Sequence, residues 1–384
     1  MASETVLMRN EKSLKIVHLA SGDLWAGAEV QLYYLASALN RCAGINVHVI
    51  LLNYGTLETK LRESGVTVTV IDESRNGLLS ILFSLFQLLN RIRPNVVHTH
   101  RQKENVLGSV VSPMVGATSV RTVHGEPEFV VSIWQFRKKL YSLADRLCGR
   151  YIQKAIIAVS QDLGQKLRQV FPTSRITVIA NSIDTDEVLR RAQDHIALAQ
   201  VESALRVGIV GRLVPVKRMD LFVAIAEELH ALFPGKFRFL ILGEGPLMAD
   251  IKSMIRAKGL ANFFDLPGST ENALPYIKSM DLLLITSDSE GLPMTLLEAM
   301  CLATPVIARA VGGIPAVLCN GKYGDLVQIA EPREFVDVIS RYLVEREIFY
   351  EKARQASEHA LSTYSVDRAV TEYALLYERL AGTR

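Results

Sequence analysis

Two carboxylates, Glu290 and Glu298, are separated by seven residues at the start of a helical pattern in the stretch DLLLITSDSEGLPMTLLEAM. Leu282 to Ile285 reads as a buried strand, and a polar turn over 286–291 follows it. Pro293 sits where a first helical turn tolerates a missing N–H, so Glu290 precedes the helix and Glu298 lies inside it. The free N–H groups and positive dipole end around Gly291, Leu292, Pro293, Met294 and Thr295 offer an anion site of the kind that holds phosphate. Carboxylates at either end of such a site can grip hydroxyls. On spacing alone, a solvated loop acid and an ordinary helix glutamate are the better explanation of the pair, because exposed helices often carry Glu. The strand–turn–helix context and the rest of the chain turn the argument toward a site.

A second group of polar residues follows another buried strand, in VGRLVPVKR (210–218). Arg212 can make a forked contact with a diphosphate and Lys217 a point-charge contact, whereas Arg218 reads as surface. A solvated basic loop is the bland alternative. Gly243 and Gly245, in LGEGP, mark a strand-to-helix turn, and Leu266 ends the next strand in LPGS. Gly27 lies where the first strand turns into a helix, a place where glycine lets a ligand approach the main chain but is also common for steric reasons. His98 and His100 end a strand as V-H-T-H; no third metal ligand is apparent, so structural or acceptor-side roles are expected and no metal. His124 ends the next strand, at the carboxyl edge where α/β sheets bind ligands; a satisfied core histidine is the alternative.

The elements that position these residues are strand-like runs alternating with helical patterns. Strands are expected over 15–20, 47–52, 67–71, 96–98, 119–123, 156–159 and 177–179. After a polar, helix-compatible stretch (186–202) read as a link, they resume over 206–210, 237–242, 263–266, 282–285, 305–308 and 325–327. Continuous apolar strands alternating with helices mean parallel sheets covered on both faces, an α/β fold class with two doubly wound domains. The helical stretch 366–380 carries apolar residues at helical spacing.

With 384 residues, two domains are the natural expectation, and an apolar fraction of 49% excludes disorder. A net charge of +3 without an aromatic-and-basic strip gives no case for nucleic acid. The four cysteines show no paired spacing and read as reduced thiols of a cytoplasmic protein. The start, MASETVLMRNEKS, has no apolar core of a secretory leader, and the apolar stretch 77–89 is too short to span a bilayer. Asp184-Thr185-Asp186 mimics a metal-binding D-x-D but lies in a turn between the halves, and the 22–27 loop is not G-x-G-x-x-G.

Across nearly its whole length the chain resembles the retaining glycosyltransferases of family 4, through the E-x7-E pair, G-R-L-x-x-x-K over 211–217, the loop AGAE at 26–29, where the family usually has GGAE, and His124. The resemblance implies the GT-B fold: two Rossmann-like domains facing across a cleft, with the C-terminal helix crossing back to the first. The domains would be 1–185 plus about 366–384, reading the acceptor, and 186–365, holding the donor. Glu290 would bond hydroxyls of the donor sugar and Glu298 the ribose. Arg212 and Lys217 would hold the diphosphate, with His124 beside the sugar and Gly27, Gly243, Gly245, Leu266 and the 291–295 main chain around the donor. The implied reaction is metal-independent, retaining transfer of a hexose-type sugar from a nucleoside-diphosphate sugar, UDP by family frequency, needing no cofactor. A sugar-nucleotide 2-epimerase and a non-catalytic sugar-nucleotide-binding subunit are the alternatives. The acceptor expected is a lipid-linked or cell-envelope glycan. The basic, amphipathic segment 129–154 reads either as a helix packed on its own domain or as a peripheral contact with the cytoplasmic face of an inner membrane.

Overall fold

The computed structural model describes residues 13–125, 136–196 and 204–382. Two compact units divide it: residues up to Ser182 together with those from Val366 onward, and Ile183–Ser365.

The first unit is built on seven parallel strands, β1 (Leu14–Ala20), β2 (Ile45–Leu51), β3 (Thr67–Val70), β4 (Val96–Thr99), β5 (Thr118–Val123), β6 (Ala155–Ala158) and β7 (Ile176–Val178). Between them run α1 (Gly27–Asn40), α2 (Thr56–Glu63), α3 (Leu78–Ile92), α4 (Gln102–Met114), α5 (Phe136–Leu147) and α6 (Gln161–Arg168). The strand order β3-β2-β1-β4-β5-β6-β7 reverses between β1 and β4. Sheet and helices meet in one apolar layer, where Val17, Leu19 and Val97 touch Ile81, Leu85 and Leu89 of α3 and Leu107 and Val111 of α4. Burying side chains of this size contributes about 1.5–3 kcal/mol each.

The second unit begins with α7 (Thr185–Arg191) and carries six parallel strands, β8 (Leu205–Val210), β9 (Phe237–Leu242), β10 (Phe264–Gly268), β11 (Leu282–Ile285), β12 (Val306–Arg309) and β13 (Asp325–Val327). Its other helices are α8 (Met219–Leu232), α9 (Met248–Ala257), α10 (Leu274–Lys278), α11 (Met294–Cys301), α12 (Ile314–Val317), α13 (Pro332–Val344) and α14 (Arg346–Thr363). The order β10-β9-β8-β11-β12-β13 reverses between β8 and β11. Every strand read from the sequence is present, with ends shifted by two residues at most.

One detail differs from the sequence reading. The polar stretch from 186 is not simply a link: α7 docks on α10 and α11 inside the second unit, where Asp184 caps it by accepting from the Glu187 N–H at 3.1 Å. That cap accounts for the D-x-D lookalike. The last helix, α15 (Val366–Gly382), belongs to the first unit and buries Val370, Tyr373, Leu376 and Tyr377 there. Residues 1–12 and 129–135 lie outside the described residues.

Candidate functional site

In an open α/β sheet, ligands bind outside the carboxyl ends of strands where the order reverses. In the second unit this point is flanked by the loops after β8 and β11, and the residues that stood out in the sequence are there. The Lys217 ammonium donates to Glu290 Oε1 at 2.6 Å, and the Ser287 hydroxyl donates to the same oxygen at 2.6 Å. The carboxylate is well enclosed, its side chain only 9% exposed, while Lys217 keeps 25% of its side-chain surface in solvent. A small pocket holds both, lined also by Ser287, Pro293 and Thr295. Leu292 and Met294 turn their side chains into the core, so only their main chain is available to a ligand.

Backbone contacts fix this arrangement. Asp288 N donates to Val216 O at 2.9 Å and the Thr286 hydroxyl to Lys217 O at 2.8 Å, which staples the β11 loop to the β8 loop. Next to them Gly211 N bonds Leu242 O at 3.0 Å and Leu213 N bonds Glu244 O at 2.9 Å. Gly243 and Gly245 permit that approach: a Cβ at Gly243 would lie 2.0 Å from Gly211 O, and one at Gly245 2.5 Å from Leu213 O. These glycines therefore hold the Arg212 loop in place. Leu266 lies on the edge strand β10 with its side chain packed on the core.

Sequence reasoning passes over Gly312. Its φ is +56°, and a Cβ there would lie 1.7 Å from Glu290 O, while Gly313 N bonds Gly291 O at 2.9 Å. The Val311-Gly312-Gly313 turn thus backs the main chain of Glu290 and Gly291. The paired glycines after β12 are the signal that points to it.

Glu298 does not line the pocket with Glu290. It is buried in α11, and burial raises its carboxyl to about 7, against a lowering influence from Arg191 of α7. Arg191 is itself held by Glu187 at 3.3 Å and by Glu271 O at 2.9 Å.

In the first unit the reversal point is flanked by the loops after β1 and β4. Gly22 is the left-handed residue there, with φ 84°, whereas Gly27 opens α1. Glu29 is buried and paired with Arg101, which also approaches Asp23 at 3.7 Å. Burial, partly offset by Arg101, raises the Glu29 carboxyl.

Beside this pair the structure corrects one reading: the two histidines of V-H-T-H do have a third companion. His18 on β1 stands in register with His98 on β4, and His18, His98 and His100 each present a ligand atom within 4.8 Å of the others. Their nitrogens are largely committed to other partners. His98 Nδ1 lies 2.6 Å from the Tyr377 hydroxyl and Nε2 2.7 Å from the Thr122 hydroxyl. His18 Nδ1 meets His100 Nε2 at 3.1 Å, and His100 Nδ1 meets His124 Nε2 at 3.2 Å. A hydrogen-bonded row, His18–His100–His124, results, with enclosed, unpartnered nitrogens at its two ends, His18 Nε2 and His124 Nδ1. Burial lowers His18 to about 3 and, together with Arg101, His124 to about 4; it holds His98 and His100 well below the ordinary imidazole range. All four rings are neutral at pH 7. His98 as bonded here would have to give up a hydroxyl partner to bind a cation, so the group fits a polar network better than a metal centre.

Known proteins share this fold. A family model described as "Glycosyltransferase Family 4" matches residues 25–187, and one described as "Glycosyl transferases group 1" matches 204–345. The chain belongs with the group 1, family-4-like glycosyltransferases. Among curated relatives of this group, it is 23% identical to an Escherichia coli UDP-Gal:alpha-D-GlcNAc-diphosphoundecaprenol alpha-1,3-galactosyltransferase, over 82% of this chain and 87% of that one. A 2-deoxystreptamine N-acetyl-D-glucosaminyltransferase of Streptomyces fradiae is 26% identical over 79% and 76%. Among solved structures, Anabaena HepE in complex with UDP-glucose has a TM-score of 0.80 at 20% identity, covering 95% of this chain and 100% of that one. Sucrose-phosphate synthase from Thermosynechococcus elongatus has a TM-score of 0.78 at 17% identity, covering 97% and 100%. The two parallel-sheet, Rossmann-like units of this glycosyltransferase thus match the GT-B architecture of these structures.

Proposed function

We propose that this glycosyltransferase moves a hexose-type sugar, with retention, from a nucleoside-diphosphate sugar to a hydroxyl of a lipid-linked or other cell-envelope glycan, with UDP the first nucleotide to test. The observation that carries the reading is the Lys217–Glu290–Ser287 cluster at the reversal point of the second sheet, beside the start of α11. An incoming diphosphate competes for Lys217. Once the ammonium turns to phosphate, Glu290 is free to accept from sugar hydroxyls, and Ser287 still orients it. Lys217, Arg212 and the N–H groups at the head of α11 then stabilise the departing diphosphate, a task that fixed cations and dipoles perform without a divalent ion. Glu298 is proposed to receive the ribose, and His124, held by His100, to be the first unit's contribution to transfer. The relatives named above act on a UDP-sugar with a diphosphoundecaprenol acceptor in one case and on 2-deoxystreptamine in another, which supports the donor class and leaves the acceptor to experiment.

A thermal-shift panel of UDP, GDP, ADP and their sugar conjugates, with and without chelator, tests the reading, because a ligand that binds only the folded chain raises its melting temperature. The expected result is a shift with UDP and a UDP-sugar that chelator leaves intact. No shift with any nucleotide sinks the proposal, and epimerised donor formed in the absence of acceptor replaces it with the epimerase.

A further inference from the structure

In the first unit α3, α4 and α5 lie side by side, α4 in the middle. Ile81, Leu85 and Leu89 of α3 and Leu107 and Val111 of α4 point into the sheet, and Asp145 of α5 turns inward to Arg121 of β5 at 2.8 Å. Surface helices usually turn polar residues the other way. Here each outer face carries an exposed apolar pair at i, i+4 spacing: Leu79 and Phe83, Val110 and Met114, Leu143 and Leu147. Half of the large apolar side chains that the described residues expose lie on these helices and the turn that follows α5.

The charges are as one-sided as the apolar residues. Among the described residues of these three helices and of that turn, the exposed charged side chains are Arg91, Arg146 and Arg150, all basic. The only carboxylates are Glu104 and Asp145, both buried. A second copy of the chain would set arginine against arginine on this face, and it offers no exposed carboxylate to answer them. A bilayer of anionic phospholipid supplies both of the missing complements, an apolar interior for the leucines and phosphates for the arginines.

We propose that the outer face of α3, α4 and α5 docks the glycosyltransferase on an anionic phospholipid membrane. No helix among the described residues is long and apolar enough to cross a membrane, so this contact lies in the surface plane. The proposal widens the single segment singled out in the sequence to a three-helix face. It names where a lipid-borne acceptor would be met, yet stands or falls without the transfer reading.

The test is co-sedimentation of the full chain with vesicles of phosphatidylcholine alone and of phosphatidylcholine mixed with phosphatidylglycerol. Binding is expected to the mixed vesicles only, falling as salt rises and by about fivefold for each arginine removed in Arg146→Gln and Arg150→Gln. Leu143→Ser with Leu147→Ser should abolish it, while Leu232→Ser in the second unit leaves it unchanged. Helix content by circular dichroism and the UDP-induced thermal shift, read on every variant, separate a lost surface from a lost fold. Absence of wild-type binding overturns the proposal. So does equal binding by the leucine and arginine variants, or a concentration-dependent dimer that those variants dissolve while no vesicle is bound. A missing UDP shift with intact vesicle binding would refute the donor reading alone.

Discussion

Each unit places an acid–base pair at the point where its strand order reverses, and the two pairs differ in polarity and in burial. In the first unit the acid, Glu29, follows β1 and the base, Arg101, follows β4; in the second the base, Lys217, follows β8 and the acid, Glu290, follows β11. Glu29 is sealed, with one carboxylate oxygen enclosed and unpartnered, and burial raises its carboxyl. Lys217 remains accessible to a solute, and Ser287 shares the carboxylate it holds. The same fold position therefore serves two ends. The first pair ties the first turn of α1 to the start of α4, and the second is poised to be separated by a ligand that carries both phosphate and hydroxyls.

Breaking each pair in turn gives the largest effect. Glu290→Ala should lower transfer on the order of 100- to 1000-fold, since its role is at the reacting sugar, with little change in melting temperature. Glu29→Ala should instead empty an enclosed site beside Arg101, whose own side chain is 34% exposed, and lower the melting temperature by a few degrees. Turnover by purified Glu290→Ala near the wild-type rate would dissolve the contrast, as would an unchanged melting curve for Glu29→Ala.

Much of this contrast is legible in the amino-acid sequence. The strands are continuous apolar runs closed by glycine, proline or polar turns, so their positions follow from local pattern, and the reversal point then places Glu290 and Lys217 on adjacent loops. Local pattern does not supply long-range pairing. His18 reads as one polar residue in an apolar strand, and only the register of β1 with β4 sets it beside His98. Tyr377, which completes that network, lies 279 residues further along the chain. Gly312 escapes notice for the same reason, because the turn it supports belongs to the preceding strand. The stretch from 186 reads as a linker on composition, although its amphipathic turn docks on α11.

The buried titrating groups extend the comparison to acid. His18, His98, His100 and His124 have folded values below the ordinary imidazole value, so the stability they give is present above about 6.5 and is lost as pH falls below it. Glu298 has a raised value, so its share is present below the ordinary carboxylate range and is lost as pH rises through about 7. The units should respond to acid with opposite sign. Hydrogen exchange at pH 7.5 and 5.5, corrected for intrinsic rates, should show β4 and β5 losing protection on the order of 1 kcal/mol per ring, while α11 keeps or gains it. Glu29 and Glu104, also raised by burial, oppose the first trend in part. Parallel losses in the two units would mean that the histidine row does not set the acid response.

The smallest effect concerns Glu298 itself. With burial holding its carboxyl near 7, it is largely protonated at pH 6 and ionised at pH 8. An ionised carboxylate accepts from two ribose hydroxyls in short, charge-assisted bonds, whereas the protonated form must use one oxygen as a donor. Donor affinity should therefore tighten several-fold between pH 6 and pH 8. A UDP-sugar is the ligand to use, because its esterified diphosphate has no terminal group titrating in that range. Glu298→Gln cannot ionise and keeps one acceptor, so its affinity should match the wild type at pH 6 more closely than at pH 8, and its pH dependence should be flat. Calorimetric titration at the two pH values reads both. A wild-type affinity that is independent of pH, or a Gln variant that keeps the full slope, would remove Glu298 from the ribose and leave it as a buried partner of Arg191.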